Sequence, residues 1–360
     1  MAQAETVTQE ETSSTGGKDG GLEGFSRDEL HDFLREMLLF RRFEEKAEEA
    51  YAIGKIGGFC HLHIGQEAVA LGLIGPLRTE DYVISAYREH TQALAKGISP
   101  RAVMAELYGR APGCSGGKGG SMHLFDIDVN FMGGHGIVGA QVALATGMGW
   151  ASHYREEDRV TVCFLGDAAV NQGAFHESLN MAAMWNLPVI YVVENNAYGM
   201  GTAFSRVSKT PMVEKSASHG IPAHSINGQD ILETWAFTRD LVAKVRDGAG
   251  PQFVDAQTYR FKGHSMSDPV SGTYRSREEV GERTEKDDPI HILRDRLMEA
   301  GLLTQEELET MDAGVREVVD DAAEFADSAP LPDPGEMWTH VYSEINPDGR
   351  LFLDGRDREN

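Results

Sequence analysis

Apolar side chains are nearly absent from residues 1–24, which are rich in Gly, Ser, Thr and Glu. Such a segment cannot repay the entropy of ordering, so disorder is expected there. The pattern changes at Phe25. Ser26 as N-cap with Glu29 makes a capping box, and Phe25 with Leu30 a hydrophobic staple. Leu30, Phe33, Leu34, Met37, Leu38 and Phe43 then recur at helical spacing until Gly54. Residues 57–136 are Gly-rich and irregular, with helical stretches at 66–75, 89–97 and 100–109. The run PGCSGGKGG at 112–120 fits no regular element.

Residues 139–153 are apolar or small nearly all round, which predicts a buried helix. The runs 159–165 and 189–193 are short and continuously apolar, and 175–185 between them has helical composition. Strand, helix and strand at this spacing predict a βαβ unit with parallel strands. A helix over 231–245 and a third strand over 252–259 follow. Residues 289–329 are charged and helical, closed by Pro330, Pro332 and Pro334. The expectation is an α/β fold: a parallel sheet flanked by helices, with helical N- and C-terminal extensions. One domain spans 25–345, and 346–360 forms a tail.

Composition narrows the function. Lys and Arg number 33 against 57 Asp and Glu, a net charge of −24. A nucleic-acid partner needs a basic face, and this chain offers none. No apolar run is long enough to cross a membrane. The N-terminus is acidic and resembles neither a secretory signal nor an arginine-rich transit peptide, so a bacterial-type cytoplasmic location is expected. Cys60, Cys114 and Cys163 are widely spaced and contain no CxxC, against both a disulfide framework and a structural zinc site. Two of them should be buried.

Candidate chemistry lies at two strand ends. Gly166-Asp167-Ala168-Ala169-Val170-Asn171-Gln172-Gly173 follows one predicted strand and precedes a helix. That is the carboxyl edge of a parallel sheet, where ligands bind. Small residues let amides approach an anion, and Asp167 supplies a hard oxygen. Glu194-Asn195-Asn196-Ala197-Tyr198-Gly199-Met200-Gly201 ends the second strand in the same way. A phosphate or diphosphate with magnesium is the natural occupant. Taken alone, a Gly-Asp pair after a strand is usually a turn; the two halves together are more specific. A non-catalytic magnesium-nucleotide module would use the same strand tips. His61 and His63 alternate and invite a zinc reading, but no third ligand is evident nearby.

The Gly-Asp and Asn-Asn pairs resemble the signature of thiamine-diphosphate enzymes. Longer strings resemble the alpha subunits of the pyruvate-type 2-oxo acid dehydrogenase family: GFCHL at 58–62, AYREH at 86–90, GGKGGSMH at 116–123, GIVGAQ at 136–141, ENNAYGMG at 194–201 and YRFKGHSMSDP at 259–269. The resemblance runs from about 26 to 345. It implies magnesium on Asp167, Asn196 and the Tyr198 carbonyl, with thiamine diphosphate also touching Ala168 and Ala169. It implies diphosphate contacts from Tyr87, Arg88 and His264, and aminopyrimidine contacts from the backbone at Gly136 and Val138. Phe59 and His61, with His264, would lie near the reacting carbon.

It also implies a beta subunit that supplies the activating glutamate, a two alpha–two beta heterotetramer, a 2-oxo acid substrate, and a lipoyl-bearing acyltransferase core as acceptor of the acyl group. Acetoin and branched-chain 2-oxo acid dehydrogenases are sibling readings, and an inactive scaffold homologue is a further one. Ser265 and Ser271 fall in the loop that animal relatives phosphorylate. Two positions depart from the family pattern: Ala168 replaces a usual Gly, and Lys262 stands where relatives often carry His, placing an added cation near the diphosphate.

Overall fold

The computed structural model describes residues 21–338. The expectations for 1–20 and for the tail at 346–360 lie outside the described residues. Leu22 already packs against the core, so packing begins slightly before Phe25. The strands are β1 (Tyr82–Ala86), β2 (Phe131–His135), β3 (Thr161–Gly166), β4 (Val189–Asn195), β5 (Tyr198–Gly199), β6 (Thr202–Ala203), β7 (Ala223–Asn227) and β8 (Gln252–Gln257). The helices are α1 (Arg27–Ala52), α2 (Glu67–Ile74), α3 (His90–Ala95), α4 (Pro100–Leu107), α5 (Ala140–Tyr154), α6 (Gly173–Met184), α7 (Glu214–Ala217), α8 (Ile231–Lys244), α9 (Arg277–Lys286), α10 (Pro289–Glu299) and α11 (Gln305–Ser328).

Local signals set the ends of α1. Ser26 Oγ accepts from the Glu29 amide at 3.2 Å, and Glu29 Oε2 accepts from the Ser26 amide at 2.8 Å. Phe25 meets Phe33 edge-on, with ring centroids 5.4 Å apart.

Six strands form one parallel sheet in the order β2-β1-β3-β4-β8-β7. The predicted βαβ unit is β3-α6-β4, with Gly166 opposite Glu194 at its carboxyl end. Three strands escape the apolar-run criterion. β1 is only five residues long, β7 is an edge strand with polar positions, and β2 ends in Gly133-Gly134-His135. The glycines of β2 make room: Phe125 fills the space beside Gly133 and the Glu89 carboxyl the space beside Gly134. His135, inside the stretch read as irregular, therefore closes a strand.

Alternation splits the core in two. Val162, Phe164, Ile190 and Val192 face one side, with α1, α2, α4, α8, α10 and α11 beyond. Cys163, Leu165, Tyr191 and Val193 face the other, which α5 and α6 cover. Cys60 and Cys163 are buried, as expected. The expectation for α5 needs correction: only one of its faces is buried. Leu144, Trp150 and Tyr154 stand exposed, beside Met181, Met184 and Trp185 on and after α6. The helix reads as apolar all round because its outer face is apolar too. No helix among the described residues is long and apolar enough to cross a membrane.

Candidate functional site

The strand order reverses direction between β1 and β3: the chain moves outward from β1 to β2, then from β3 to β4 on the other side. A crevice opens where such a reversal occurs, outside the carboxyl ends of the strands. A cleft lies there, open to solvent on one side. Ala86, Tyr87 and Arg88 from the end of β1 face Gly166, Asp167, Ala168 and Ala169 from the end of β3. Asn196 and Tyr198 follow β4, and Arg260 and His264 follow β8.

The cleft combines buried cations with a buried carboxylate. Arg88 donates to the Leu62 and His264 carbonyls, each at 2.6 Å. Arg260 donates to the Lys262 carbonyl at 3.1 Å and the Tyr274 hydroxyl at 3.2 Å. Among the described residues neither guanidinium has a carboxylate within ion-pair distance, although both are buried. Burial, followed by the neighbouring Arg260, lowers Arg88 to about 10. Burial likewise lowers Arg260. Guanidinium groups desolvated in this way favour an anion.

Asp167 is buried as well, and burial raises its carboxyl to about 6. Its Oδ1 accepts from the Ala168 amide at 3.0 Å, while Oδ2 is buried without a partner among the described residues. Asn196 turns its amide nitrogen to Gln66 Oε1 at 3.1 Å, which directs the oxygen the other way. The turn after β4 is strained: Ala197 has φ 67° and Met200 φ 55°. Asn195 supports it, accepting from the Ala197 amide at 3.4 Å and donating to Asp255 at 2.9 Å.

Two histidines border the cations. The His61 ring lies 4.6 Å from Tyr87 and 5.3 Å from His264, centroid to centroid. Burial, and next the Arg88 charge, lowers His61 to about 2 and His264 to about 4. Both rings are neutral at ordinary pH. His61 Nδ1 is buried without a partner among the described residues.

Most expected positions converge. Tyr87, Arg88, Val138, Asp167, Ala168, Ala169, Asn196, Tyr198 and His264 line one cleft. Gly136 lies exposed at its edge, two residues from Val138. Phe59 stands at the rim, 60% exposed and 6.2 Å from His61. Ser265 is buried, its hydroxyl 3.2 Å from Asp268.

One expectation is corrected. Lys262 does not add a cation to the cleft; it pairs with Glu48 on α1 at 2.7 Å. Ala168, where the family usually has Gly, has no positive φ, so alanine is accommodated without backbone strain. Its methyl instead occupies the space that Gly199 leaves: a Cβ there would come within 2.4 Å of Ala168 Cβ. The two neighbouring histidines diverge, His63 turning to Glu194 at 2.7 Å and Thr91 at 2.7 Å. No group of three or more possible metal-ligating His, Cys, Asp or Glu side chains occurs among the described residues. Arg260 was missed as a site residue although it sits inside the string at 259–269; nothing local marks it as buried.

Residues 35–335 match the sequence model of the family described as dehydrogenase E1 component. A protein of Rhizobium meliloti named pyruvate dehydrogenase E1 component subunit alpha is 50% identical over 323 residues, 89% of this chain and 92% of the relative. Its namesake from Zymomonas mobilis is 49% identical over 317 residues, 88% of this chain and 89% of the relative. A mitochondrial namesake from Sminthopsis macroura is 44% identical over 322 residues, 89% and 88% respectively.

Proposed function

The chain belongs to the dehydrogenase E1 component family, and from that footing we propose that it is the alpha subunit of a pyruvate dehydrogenase, holding magnesium and thiamine diphosphate in the cleft between β1 and β3. The observation that carries the reading is the pairing of two buried guanidiniums, neither ion-paired among the described residues, with a buried carboxylate whose Oδ2 has no partner among them. An anion satisfies the first and a hard cation the second. A magnesium diphosphate is both.

Asp167 Oδ2, the Asn196 amide oxygen and the Tyr198 carbonyl form the oxygen set for magnesium. Arg88, Arg260, Tyr87 and His264 hold the diphosphate through charge-assisted and neutral hydrogen bonds. Backbone at Gly136 and Val138 meets the aminopyrimidine. Bound thiamine diphosphate supplies a nucleophilic carbon and a cationic ring that accepts the electrons released when a 2-oxo acid loses carbon dioxide. His61, held neutral by burial and the Arg88 charge, offers a hydrogen-bonding ring nitrogen beside that chemistry, with Phe59 at the mouth.

The cleft is open beside Ile137 and Val138, and the exposed apolar faces of α5 and α6 lie on the same side of the sheet. An apolar surface of this kind marks a protein partner. A beta subunit seated there closes the cleft, supplies the activating glutamate, and completes a two alpha–two beta enzyme. The acetyl group then passes to a lipoyl group on an acyltransferase core.

The test is co-expression with a beta subunit from the same organism and assay of decarboxylation with an artificial electron acceptor. Pyruvate, 2-oxobutyrate, a branched 2-oxo acid and acetoin are compared. Pyruvate turnover that needs both chains and disappears in Asp167→Ala supports the reading. Preference for acetoin or a branched acid transfers it to a sibling enzyme. Binding of ATP but not thiamine diphosphate, with magnesium present, overturns it.

A further inference from the structure

The loop at 113–120 has the glycine content of a phosphate-binding loop, but its amides already hold an anion. Ser115 and Gly117 each donate to Glu106 Oε2 at 2.8 Å. Gly119 and Gly120 donate to Oε1 at 2.6 and 3.1 Å. A carboxylate has about four lone-pair directions, and four amides fill them. Glu106 is fully buried and sits in the last turn of α4, where the helix dipole disfavours a negative charge. The position makes no sense for the helix alone.

The fit is close. A Cβ at Gly113 would stand 2.3 Å from Glu106 Oε2, and one at Gly119 2.1 Å from the His123 carbonyl oxygen. Gly117 has φ +74°, with the Arg110 carbonyl 2.7 Å from any Cβ.

The loop leads directly into the cleft. Ser121 Oγ lies 2.8 Å from His90 Nε2, and His90 Nδ1 lies 2.8 Å from Glu44. The His61 amide donates to Ser121 Oγ at 3.3 Å. His123 Nδ1 meets the Gly134 carbonyl at 2.9 Å, and its ring covers Gly136.

We propose that Glu106 is an internal anion around which the 113–120 loop folds, and that through Ser121 and His123 it positions His61 and Gly136 for the reaction. It is a positioning residue; it does not touch the cleft. The proposal rests on the functional reading above for the role of His61 and Gly136, but the occupied nest stands on geometry alone.

The test uses the full chain with its beta subunit. Glu106→Gln keeps the shape but points an NH2 group at two of the amides. Glu106→Ala empties the nest, and sodium formate is the probe for it, against sodium chloride at equal ionic strength. Turnover per bound thiamine diphosphate should fall about 10–100-fold in Glu106→Gln, as expected for reacting groups displaced by about 1 Å. Affinity for thiamine diphosphate should fall much less than turnover, since Arg88, Arg260 and Asp167, which hold the diphosphate and magnesium, lie on other elements. Formate should raise the melting temperature of Glu106→Ala and restore part of its turnover, with neither effect in the parent.

Unchanged turnover per bound cofactor in a folded Glu106→Gln overturns the positioning role. Absence of any formate effect on Glu106→Ala overturns the anion role. If Glu106→Ala does not fold, its refolding from urea in formate but not chloride is the supporting outcome and failure in both the opposing one. A parent complex that binds no thiamine diphosphate refutes the functional reading, and the formate arm then judges the nest by itself.

Discussion

Adding one methyl group at Gly134 should be unusually costly. A Cβ there would stand 1.4 Å from Glu89 Oε2 and 1.8 Å from its Cδ. The φ of Gly134 lies outside the left-handed region, so alanine is conformationally acceptable and the cost is steric. Glu89 cannot swing aside cheaply. It is fully buried, its Oε1 accepts from the Leu124 amide at 2.7 Å, and burial drives its carboxyl far above the usual range. Displacing it strands the buried Leu124 N–H. Overpacking costs about 1–3 kcal/mol. The stranded amide costs about 1–3 kcal/mol more. Gly134→Ala should then destabilise the chain by about 2–6 kcal/mol.

Urea unfolding of the single variants and the double variant Gly134→Ala/Glu89→Ala measures this. In the Glu89→Ala background the new methyl enters vacated space, and most of its penalty should vanish. Glu89→Gln, which keeps the acceptor for Leu124, should be mild. A Gly134→Ala penalty of the same size with and without Glu89 would falsify the steric argument. Because Gly134 O accepts from His123 and lies two residues before Gly136, turnover should fall along with stability.

Other outcomes follow from the same geometry. Gly199→Ala should weaken thiamine diphosphate binding by pressing on Ala168, and Ala168→Gly/Gly199→Ala should restore it, as read by calorimetry on the complex; a double variant as weak as the single one counts against the contact. Unfolded histidine takes up a proton near 6.5, whereas folded His61 and His264 resist until about 2 and about 4. Stability is therefore full above pH 6.5 and declines as pH falls from 6.5 toward 4. A His61→Asn/His264→Asn variant should show a shallower decline in melting temperature over that window, and an unchanged slope refutes the assignment. Trp150→Glu and Met184→Glu, at exposed apolar positions on α5 and α6, should abolish co-purification of the beta subunit while shifting the stability of the chain by no more than about 0.5 kcal/mol. Retained assembly in both would move the partner surface elsewhere.

Much of the cleft was legible because its signals are local. Asp167 and Asn196 announce themselves by following apolar runs, and the capping box of Ser26 and Glu29 by spacing. The strings shared with the family marked Tyr87, Arg88 and His264 before any geometry was known. β2 stayed hidden because its glycines have a reason that lies 45 residues away, in the Glu89 carboxyl pressed against Gly134. Arg260 and Lys262, two residues apart, read alike as cations; only packing sends one into the cleft and the other to Glu48 on α1.

Alternation and caps depend on neighbours within a few residues, so the sequence by itself determined the α/β class, the central βαβ unit and the two strand tips that carry Asp167 and Asn196. The strand order, and with it the reversal between β1 and β3 that opens the cleft, depends on which long-range pairs bury the most apolar surface. Tertiary structure alone therefore decided that Arg88 and Arg260 meet with no ion pair to a carboxylate among the described residues, that α5 and α6 leave an apolar face uncovered, and that the glycine-rich loop closes on Glu106. In each case the energy lies in contacts between segments distant along the chain, and no local pattern records it.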